Sequence, residues 1–218
     1  MAGIRALASM RLIRLGIPVF DVRVGNVTLG SLQVLSGDPD SNVHMFLYII
    51  AKSWSERGER IAFIIDKGNS EYHRQIAEAM GIAVRSLEEG NMWHYEEAES
   101  SNDAIAKVVD LMTAYPLILV DSTSWFDADP ELLTRTLNMV AASNAIVVIA
   151  VIDKRGNPES ISILESFAET VTRFETYWAG LRVERILKLS KSRVPRNPFA
   201  AYYSVTKDGI NIEELKRL

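Results

Sequence analysis

The residues whose types and spacing come nearest to a known chemical motif form an eight-residue window, Gly37–His44, with the sequence GDPDSNVH. An apolar stretch predicts a strand over Leu32–Leu35, directly before the window. A helical pattern follows it, with apolar residues on one face at Val43, Phe46, Leu47, Ile50 and Trp54. A strand, a turn opened by glycine and a helix form the layout of a phosphate-binding loop, whose backbone N–H groups surround the phosphates.

The side chains that this chemistry requires are missing from the window. A phosphate-binding loop needs small residues, a Lys for the β and γ phosphates, and a Ser or Thr for Mg²⁺. Here Asp40 and Asn42 occupy glycine positions, Val43 replaces the Lys, and His44 replaces the hydroxyl residue. A carboxylate such as Asp38 or Asp40 at about 4 Å from a phosphate costs about 4 kcal/mol at an effective dielectric of 20. ATP with Mg²⁺ is therefore a disfavoured ligand, and we expect no cofactor.

Two interpretations of the loop remain open. The side chain of Asp40 or Ser41 could cap the helix and accept from the N–H groups that a phosphate would satisfy, which leaves an ordinary strand-turn-helix. A residual nucleotide site would instead use Gly37, Asp40, Ser41, Asn42, Val43 and His44. Because imidazole suits zinc better than Mg²⁺ and no residue with metal spacing is near His44, we expect no metal site.

Composition limits the class of protein. With 218 residues and 48% apolar content, the chain can bury one core, so we expect a single domain over residues 16–218 after a lead-in over residues 1–15. A net charge of −4 gives no overall attraction to nucleic acid. The absence of cysteine excludes disulfides and thiolate chemistry. Without a run of eighteen apolar residues, we expect a cytoplasmic protein with no membrane partner.

Predicted strands and helices alternate along the chain with short connections, which favours a parallel sheet covered by helices. The most continuous apolar run, Ala145–Ile152, predicts a central strand buried on both faces. We also predict a short strand at Ala83–Leu87, a surface loop over Glu88–Asp103, and a helix capped by Asn102 or Asp103. The last third alternates apolar and polar residues and predicts antiparallel strands at Thr170–Trp178, Leu181–Ser190 and Ala201–Thr206.

Five segments together resemble the KaiC-like branch of the RecA superfamily of P-loop ATPases. They are GIPVFD (Gly16–Asp21), GSLQVLSGDP (Gly30–Pro39), LILVDS (Leu117–Ser122), KLSKSR (Lys188–Arg193) and YYSVTKDGINI (Tyr202–Ile212). The resemblance implies a RecA-like, three-layer αβα domain with a mostly parallel central sheet and antiparallel strands at its C-terminal edge. It also implies an archaeal or bacterial source, and oligomers that hold ATP between subunits.

The same resemblance assigns roles to residues outside the loop. Asp121 matches the acidic residue that holds the Mg²⁺ water shell, and Asp66 with Lys67 stands where the family has a glutamate pair, one of them the base. The resemblance therefore makes Asp66 and Asp121 candidate relics of a catalytic site. The alternative for Asp121 is an acidic residue at the carboxyl edge of a strand, hydrogen-bonded to a neighbouring loop. Lys191-Ser-Arg193 matches the Lys-x-Arg that reaches the γ-phosphate of the next subunit's nucleotide.

The leading hypothesis is a pseudo-ATPase that assembles with itself or regulates an active RecA/KaiC-like ATPase, to which it could donate the Lys-x-Arg finger. A first alternative is a weak ATPase. A second is a recombinase paralog that contacts DNA phosphates through a basic patch formed by Lys188, Lys191, Arg193 and Arg196.

Overall fold

The computed structural model describes residues 12–194, 199–206 and 209–214. Seven helices lie in these ranges: α1 Pro18–Arg23, α2 Met45–Ser55, α3 Ser70–Ala79, α4 Val84–Glu89, α5 Ser101–Leu111, α6 Pro130–Ala141 and α7 Pro158–Phe167. The strands are β1 Leu12–Ile13, β2 Val27–Thr28, β3 Ser31–Gly37, β4 Ile61–Asp66, β5 Trp93–Ala98, β6 Leu117–Ser122, β7 Ile146–Ile152, β8 Thr170–Ala179, β9 Arg182–Ser192, β10 Ala200–Thr206 and β11 Gly209–Glu214. A single 3₁₀ turn, Asp153–Arg155, follows β7.

Nine of these strands form one sheet in the order β11-β10-β9-β8-β3-β7-β6-β4-β5. All pairs from β8 to β5 are parallel. Every residue of β3 and of β7 is buried, because both strands lie in the middle of the sheet with helices on either face. The prediction of a central strand at Ala145–Ile152 is confirmed.

Two apolar cores lie on opposite faces of the sheet. Side chains alternate along each strand, so Leu35, Phe63 and Leu119 contribute to one core, and Val34, Ile64 and Val120 contribute to the other. Helices α2, α3 and α4 cover the first core, and helices α5, α6 and α7 cover the second. The fold is therefore a RecA-like α/β arrangement in three layers, as predicted.

The C-terminal edge of the sheet is antiparallel, also as predicted. Strand β8 is parallel to β3 but antiparallel to β9, and β10 and β11 continue in antiparallel order. The change of direction is possible because β8 and β9 are joined by the tight turn at Gly180, which has a φ of +64°. The short strands β1 and β2 pair separately, and Leu15 in the expected lead-in is buried in the first core.

Two predictions between residues 83 and 103 are wrong. The expected strand at Ala83–Leu87 is helix α4, since Val84 and Leu87 pack together on one side at helical spacing and the polar residues between them face solvent. The expected surface loop contains strand β5, which pairs with β4 and buries Trp93. The acidic residues in this segment favoured a loop in the sequence analysis. They are compatible with β5 because it is an edge strand, where charged side chains are common.

The start of helix α5 also differs from the prediction. Its N-cap residue is Ser100, whose hydroxyl accepts a hydrogen bond from the backbone N–H of Asp103. Asn102 instead accepts, through its side-chain oxygen, from the backbone N–H of Asp129. Asp103 accepts from the backbone N–H of Glu99, the residue before the N-cap. Ser100 and Asp103 thus close the start of α5 in a variant of the capping box, in which the N3 side chain normally accepts from the N-cap residue itself.

Candidate functional site

The loop between β3 and α2 is held closed by its own carboxylate. Asp38 accepts two hydrogen bonds from Thr176 on β8: from the backbone N–H at 2.6 Å and from the hydroxyl at 2.9 Å. The backbone N–H of Asp38 donates to the carbonyl of Phe174 at 3.1 Å. Asp38 therefore joins the loop to a strand that is 138 residues away in the sequence.

The middle of the loop is anchored from several sides. The backbone N–H and the hydroxyl of Ser41 both donate to the carbonyl of Asp38, at 3.1 and 2.7 Å. The hydroxyl of Tyr203 donates to the carbonyl of Ser41 at 2.6 Å, and the Arg185 side chain donates to the carbonyl of Asp40 at 3.0 Å. A Cβ at Gly37 would lie 2.3 Å from the Ser41 hydroxyl oxygen, so the loop is packed against its own first residue.

The predicted cap of α2 is wrong. Neither Asp40 nor Ser41 accepts from the first turn of the helix; the N-cap residue is His44, which makes no side-chain capping bond. The backbone N–H groups of Met45 and Phe46 donate instead to the carbonyls of Asn42 and Val43 in tight turns. The backbone satisfies these groups itself, so a side-chain cap is not required.

The closed loop does not fit a triphosphate. Val43, at the position of the motif's Lys, is fully buried in the core, so its side chain points away from a phosphate. The N–H groups of Asp38, Asp40 and Ser41 all have partners within the protein. Residues 37–44 also contain no Lys or Arg. Three backbone donors of the loop are therefore used within the protein, and the Lys and the hydroxyl residue of a phosphate-binding loop are missing.

The carboxylates of Asp66 and Asp121 lie at the carboxyl edge of the same sheet. Asp121, near the end of β6, accepts from the hydroxyl of Thr123 at 2.6 Å, and Asp66, at the end of β4, accepts from the hydroxyl of Ser124 at 2.5 Å. Lys67 forms an ion pair with Glu99. The structure thus brings Asp66 and Asp121 together, each bonded to a hydroxyl in the loop that follows β6.

Both carboxylates line a cavity of about 530 Å³ at the carboxyl ends of β4, β5 and β6. Glu99, Asp127 and Trp125 also line it, and Trp125 is 58% exposed. Among the described residues, no group of three or more His, Asp or Glu is placed to hold a metal ion. The cavity is therefore an acidic pocket with one aromatic wall.

Beneath this edge lies a buried pair that the sequence did not single out. The Tyr48 hydroxyl is 2.5 Å from Nδ1 of His73, and both side chains are buried. Burial lowers the pKa of His73, opposed by the charges of Asp121 and Asp66 and reinforced by His44. Burial also raises the pKa of Tyr48. A neutral imidazole accepting from the tyrosine hydroxyl fits both shifts.

A network of hydrogen bonds and ion pairs that the sequence analysis did not predict lies at the end of β7. Asp153 accepts a short hydrogen bond from Ser36 and pairs with Arg173 at 2.7 Å, and Arg173 also pairs with Glu165 at 2.5 Å. Burial raises the pKa of Asp153, although Arg173 opposes the shift. The network could not be predicted from a short sequence motif, because its members come from β3, β8, α7 and the turn after β7.

The Lys-x-Arg pair lies against the C-terminal end of α7. The Lys191 ammonium donates to the carbonyls of Glu165 and Ser166, and the Arg193 guanidinium donates to the carbonyl of Ser166 at 2.7 Å. Burial and the nearby Arg193 lower the pKa of Lys191. Two cations at the negative end of a helix dipole stabilise that end.

The other two members of the basic patch are not part of this arrangement. Lys188 forms an ion pair with Glu175 on β8, and Arg196 lies outside the described residues. The structure therefore brings Lys191 and Arg193 together and places Lys188 beside an acidic partner.

The fold matches solved structures closely. The KaiC-like protein of the hyperthermophilic archaeon Pyrococcus horikoshii OT3 superposes with a TM-score of 0.78 at 15% identity, over 93% of this chain and 99% of that one. The chain has the RecA-like fold of KaiC-like proteins. The flagellar accessory protein FlaH of Methanocaldococcus jannaschii gives a TM-score of 0.75 at 16% identity, over 95% and 100% of the two chains.

No protein-family model and no curated protein sequence matches the chain. The likeness is thus one of fold. In the part of the chain that the structure describes, no helix is long and apolar enough to cross a membrane.

Proposed function

We propose that this protein is a non-catalytic RecA-fold subunit, a pseudo-ATPase that acts by assembly or regulation. The observation that carries the proposal is the closed loop: Asp38 bonds to Thr176 on β8, and Tyr203 on β10 bonds to the carbonyl of Ser41. These contacts occupy the loop with protein groups and point its carboxylate into the structure.

A triphosphate at this loop would compete with the contacts that close it. Opening the loop would break the Asp38–Thr176 hydrogen bonds, and each hydrogen bond to a charged group contributes about 1.5–3 kcal/mol. Val43, in the place of the motif's Lys, is buried in the core and offers the phosphates no charge and no hydrogen bond. No Lys within residues 37–44 would repay these costs by contacting the phosphates.

The hydrolytic step lacks its groups as well. In the family that the sequence resembles, a glutamate after the second strand activates water, and here that place holds Asp66 and Lys67. Asp66 is engaged by Ser124, and Lys67 pairs with Glu99. An ammonium in an ion pair cannot act as the base, which supports a protein that does not turn over ATP.

An accessory role agrees with the comparisons. One similar structure is named a flagellar accessory protein. We infer that the partner is a protein, either a second copy of this chain or an active ATPase of the same fold. A Lys191–Arg193 finger would act on such a partner after leaving the α7 carbonyls.

The decisive measurement is titration of the purified protein with ATP by calorimetry, with Mg²⁺ present. We expect no binding at millimolar ATP. A Kd of about 100 μM or tighter, which corresponds to about −5.5 kcal/mol, would overturn the proposal. Phosphate release that falls after Asp121→Ala would identify the weak ATPase. Salt-sensitive DNA binding lost in a Lys191→Ala, Arg193→Ala variant would identify the DNA-binding alternative.

A further inference from the structure

The cavity at the carboxyl ends of β4, β5 and β6 contains a buried hydroxyl with no partner in the described part of the chain. Ser122, the last residue of β6, lines the cavity and is only 5% exposed. No hydrogen bond joins its side chain to any described residue. The next two hydroxyls along the chain, those of Thr123 and Ser124, donate to carboxylates. Because buried polar groups in folded proteins are nearly always hydrogen-bonded, the Ser122 hydroxyl indicates a polar ligand in the cavity.

The strand register places Asp66 beside this hydroxyl. Ile64 on β4 pairs with Val120 on β6, and side chains two positions further along each strand, those of Asp66 and Ser122, lie on the same face of the sheet. Neighbouring strands are about 4.8 Å apart. Oδ2 of Asp66 accepts from Ser124, so its Oδ1 is available to a ligand that also reaches Ser122.

A second carboxylate and an aromatic ring lie on the other side of the cavity, in the loop after β6. The Ser101 hydroxyl donates to the carbonyl of Trp125 at 3.4 Å and accepts from the backbone N–H of Asp127 at 2.9 Å, which holds this loop against the start of α5. Within the described ranges, the Asp127 carboxylate has no ion pair or hydrogen bond, and the Trp125 ring contacts no other ring or cation. Both groups can therefore contact a ligand.

The charge of the cavity favours a cation. Its lining contains four carboxylates and one ammonium, and the ammonium, that of Lys67, is neutralised by Glu99. The positive end of α5, which lies nearby, is already capped and has an acidic residue in its first turn. Three carboxylates remain without a basic partner: Asp66, Asp121 and Asp127. Their combined field attracts cations and repels phosphates.

The arrangement suits a linear cation better than a compact one. Asp66 and Asp121 stand on neighbouring strands and Asp127 lies across the cavity beside α5, and in the described ranges no three acidic or imidazole groups converge on one point to hold a metal ion. Apolar side chains lie between the carboxylates, those of Ile64, Ala98 and Ala104. A polyamine has ammonium groups separated by methylene groups, which matches carboxylates separated by apolar wall. The volume of about 530 Å³ is typical of sites for small molecules.

We propose that this cavity binds a linear aliphatic polyamine. Its ammonium groups donate to Asp66, Asp127 and the Ser122 hydroxyl, and its methylene groups pack against Trp125, whose ring also attracts the neighbouring charge. No residue of the loop 37–44 lines the cavity. The site therefore goes beyond the proposed function and does not depend on whether ATP binds.

Calorimetric titration of the whole chain with spermidine, a linear triamine, tests the site at a salt concentration of about 50 mM. We expect a Kd of about 100 μM or tighter, weakened about tenfold by Asp127→Asn or by Trp125→Ala. Both positions are exposed, so the variants should fold, and circular dichroism checks this. Asp110→Asn on α5 and Trp178→Ala on β8 change exposed residues outside the cavity and are the matched controls, which should bind as the wild type does.

Ser122→Ala separates a ligand contact from a structural role. We expect it to weaken spermidine binding by about threefold to tenfold, since one hydrogen bond is lost. Its stability to urea should equal or exceed that of the wild type, because the hydroxyl has no partner in the described part of the protein. Ser160→Ala is the matched control. Its buried hydroxyl donates to the carbonyl of Ala128 at 2.8 Å, so stability should fall and binding should not change.

Several results would reject the polyamine site. They are no heat with millimolar spermidine, an unchanged affinity in Asp127→Asn or Ser122→Ala, and an equal loss in Asp110→Asn, which would indicate attraction to the net charge alone. Mg²⁺ that binds as tightly as spermidine would indicate a site for a compact ion. Tighter binding of a blocked tri-lysine peptide would indicate a basic segment of another protein. None of these outcomes changes the titration with ATP, so the two proposals can fail separately.

Discussion

Asp38 and Thr176 form a two-point contact, with hydrogen bonds of 2.6 and 2.9 Å, between the loop after the first core strand and the strand that begins the antiparallel edge. The acidic residue that the sequence identified as repelling a phosphate is also a structural link. Its carboxylate repels a phosphate and at the same time ties the loop shut, and both effects oppose nucleotide binding.

Removing this contact should destabilise the fold. We expect Asp38→Ala to lower the free energy of unfolding by about 1–3 kcal/mol, because it removes two hydrogen bonds to a charged group. Urea denaturation of Asp38→Ala, Thr176→Val and the double variant measures the coupling between the two residues, which we expect at about 1 kcal/mol or more.

Asp40→Ala is the control for that experiment. Asp40 is two residues away and exposed, so its loss should change stability by less than about 0.5 kcal/mol. Equal effects of Asp38→Ala and Asp40→Ala would show that loss of either carboxylate lowers the free energy of unfolding to the same extent. The hydrogen bonds to β8 would then make no specific contribution to stability.

Lys191 should stabilise the end of α7, and Lys188 should not. We expect Lys191→Ala to cost about 1–2 kcal/mol, since its ammonium donates to two carbonyls at the negative end of a helix. Lys188 pairs with Glu175 on the surface, so Lys188→Ala should cost less than about 1 kcal/mol. Thermal or urea denaturation of the two variants compares them. A stability loss confined to Lys188→Ala would contradict this assignment.

The central strands were predictable from the sequence because each one is a continuous run of apolar residues. A run such as Ala145–Ile152, apolar at every position, can lie only between two covered faces. The segment Trp93–Ala98 was not predictable, because an edge strand has one neighbour and tolerates the charges of Glu96 and Glu97. Pattern alone does not distinguish such a strand from a surface loop.

The candidate site was predictable in part for a similar reason. The window Gly37–His44 and the position of Asp121 follow from short motifs, so their place at one edge of the sheet could be expected. The Asp38–Thr176 link, the Tyr48–His73 pair and the Ser36–Asp153 hydrogen bond join residues that are 138, 25 and 117 positions apart. Side chains joined over such distances leave no local signal.

Acid should destabilise the protein through His73. The folded pKa of His73 lies below the ordinary value of 6.5, chiefly because of burial, so the unfolded chain binds more protons between those two values. The stabilisation is fully present above a pH of about 6.5 and is lost as the pH falls through the folded pKa, by up to about 1.4 kcal/mol per pH unit.

Urea denaturation between pH 7 and pH 5 measures this slope. His73→Gln should flatten it, because the replacement does not titrate. His94 has a side chain that is 41% exposed, so His94→Gln is the control for replacing an imidazole outside the core. An unchanged slope in His73→Gln would assign the acid sensitivity to other groups.

Restoring the missing motif residues should not restore ATP binding. If absent side chains were the only defect, then Val43→Lys with His44→Thr would recreate the Lys and the hydroxyl of the phosphate-binding motif. Val43 is fully buried, however, and a Lys forced into the core leaves an uncompensated charge that costs about 3–5 kcal/mol. We therefore expect lower stability to urea and no heat on titration with ATP and Mg²⁺.

His44→Thr alone is the control, since His44 is only half-buried and the change should be tolerated. Micromolar ATP binding by the double variant would show that the loop opens readily, and the closed loop would then not be the reason that nucleotide is excluded.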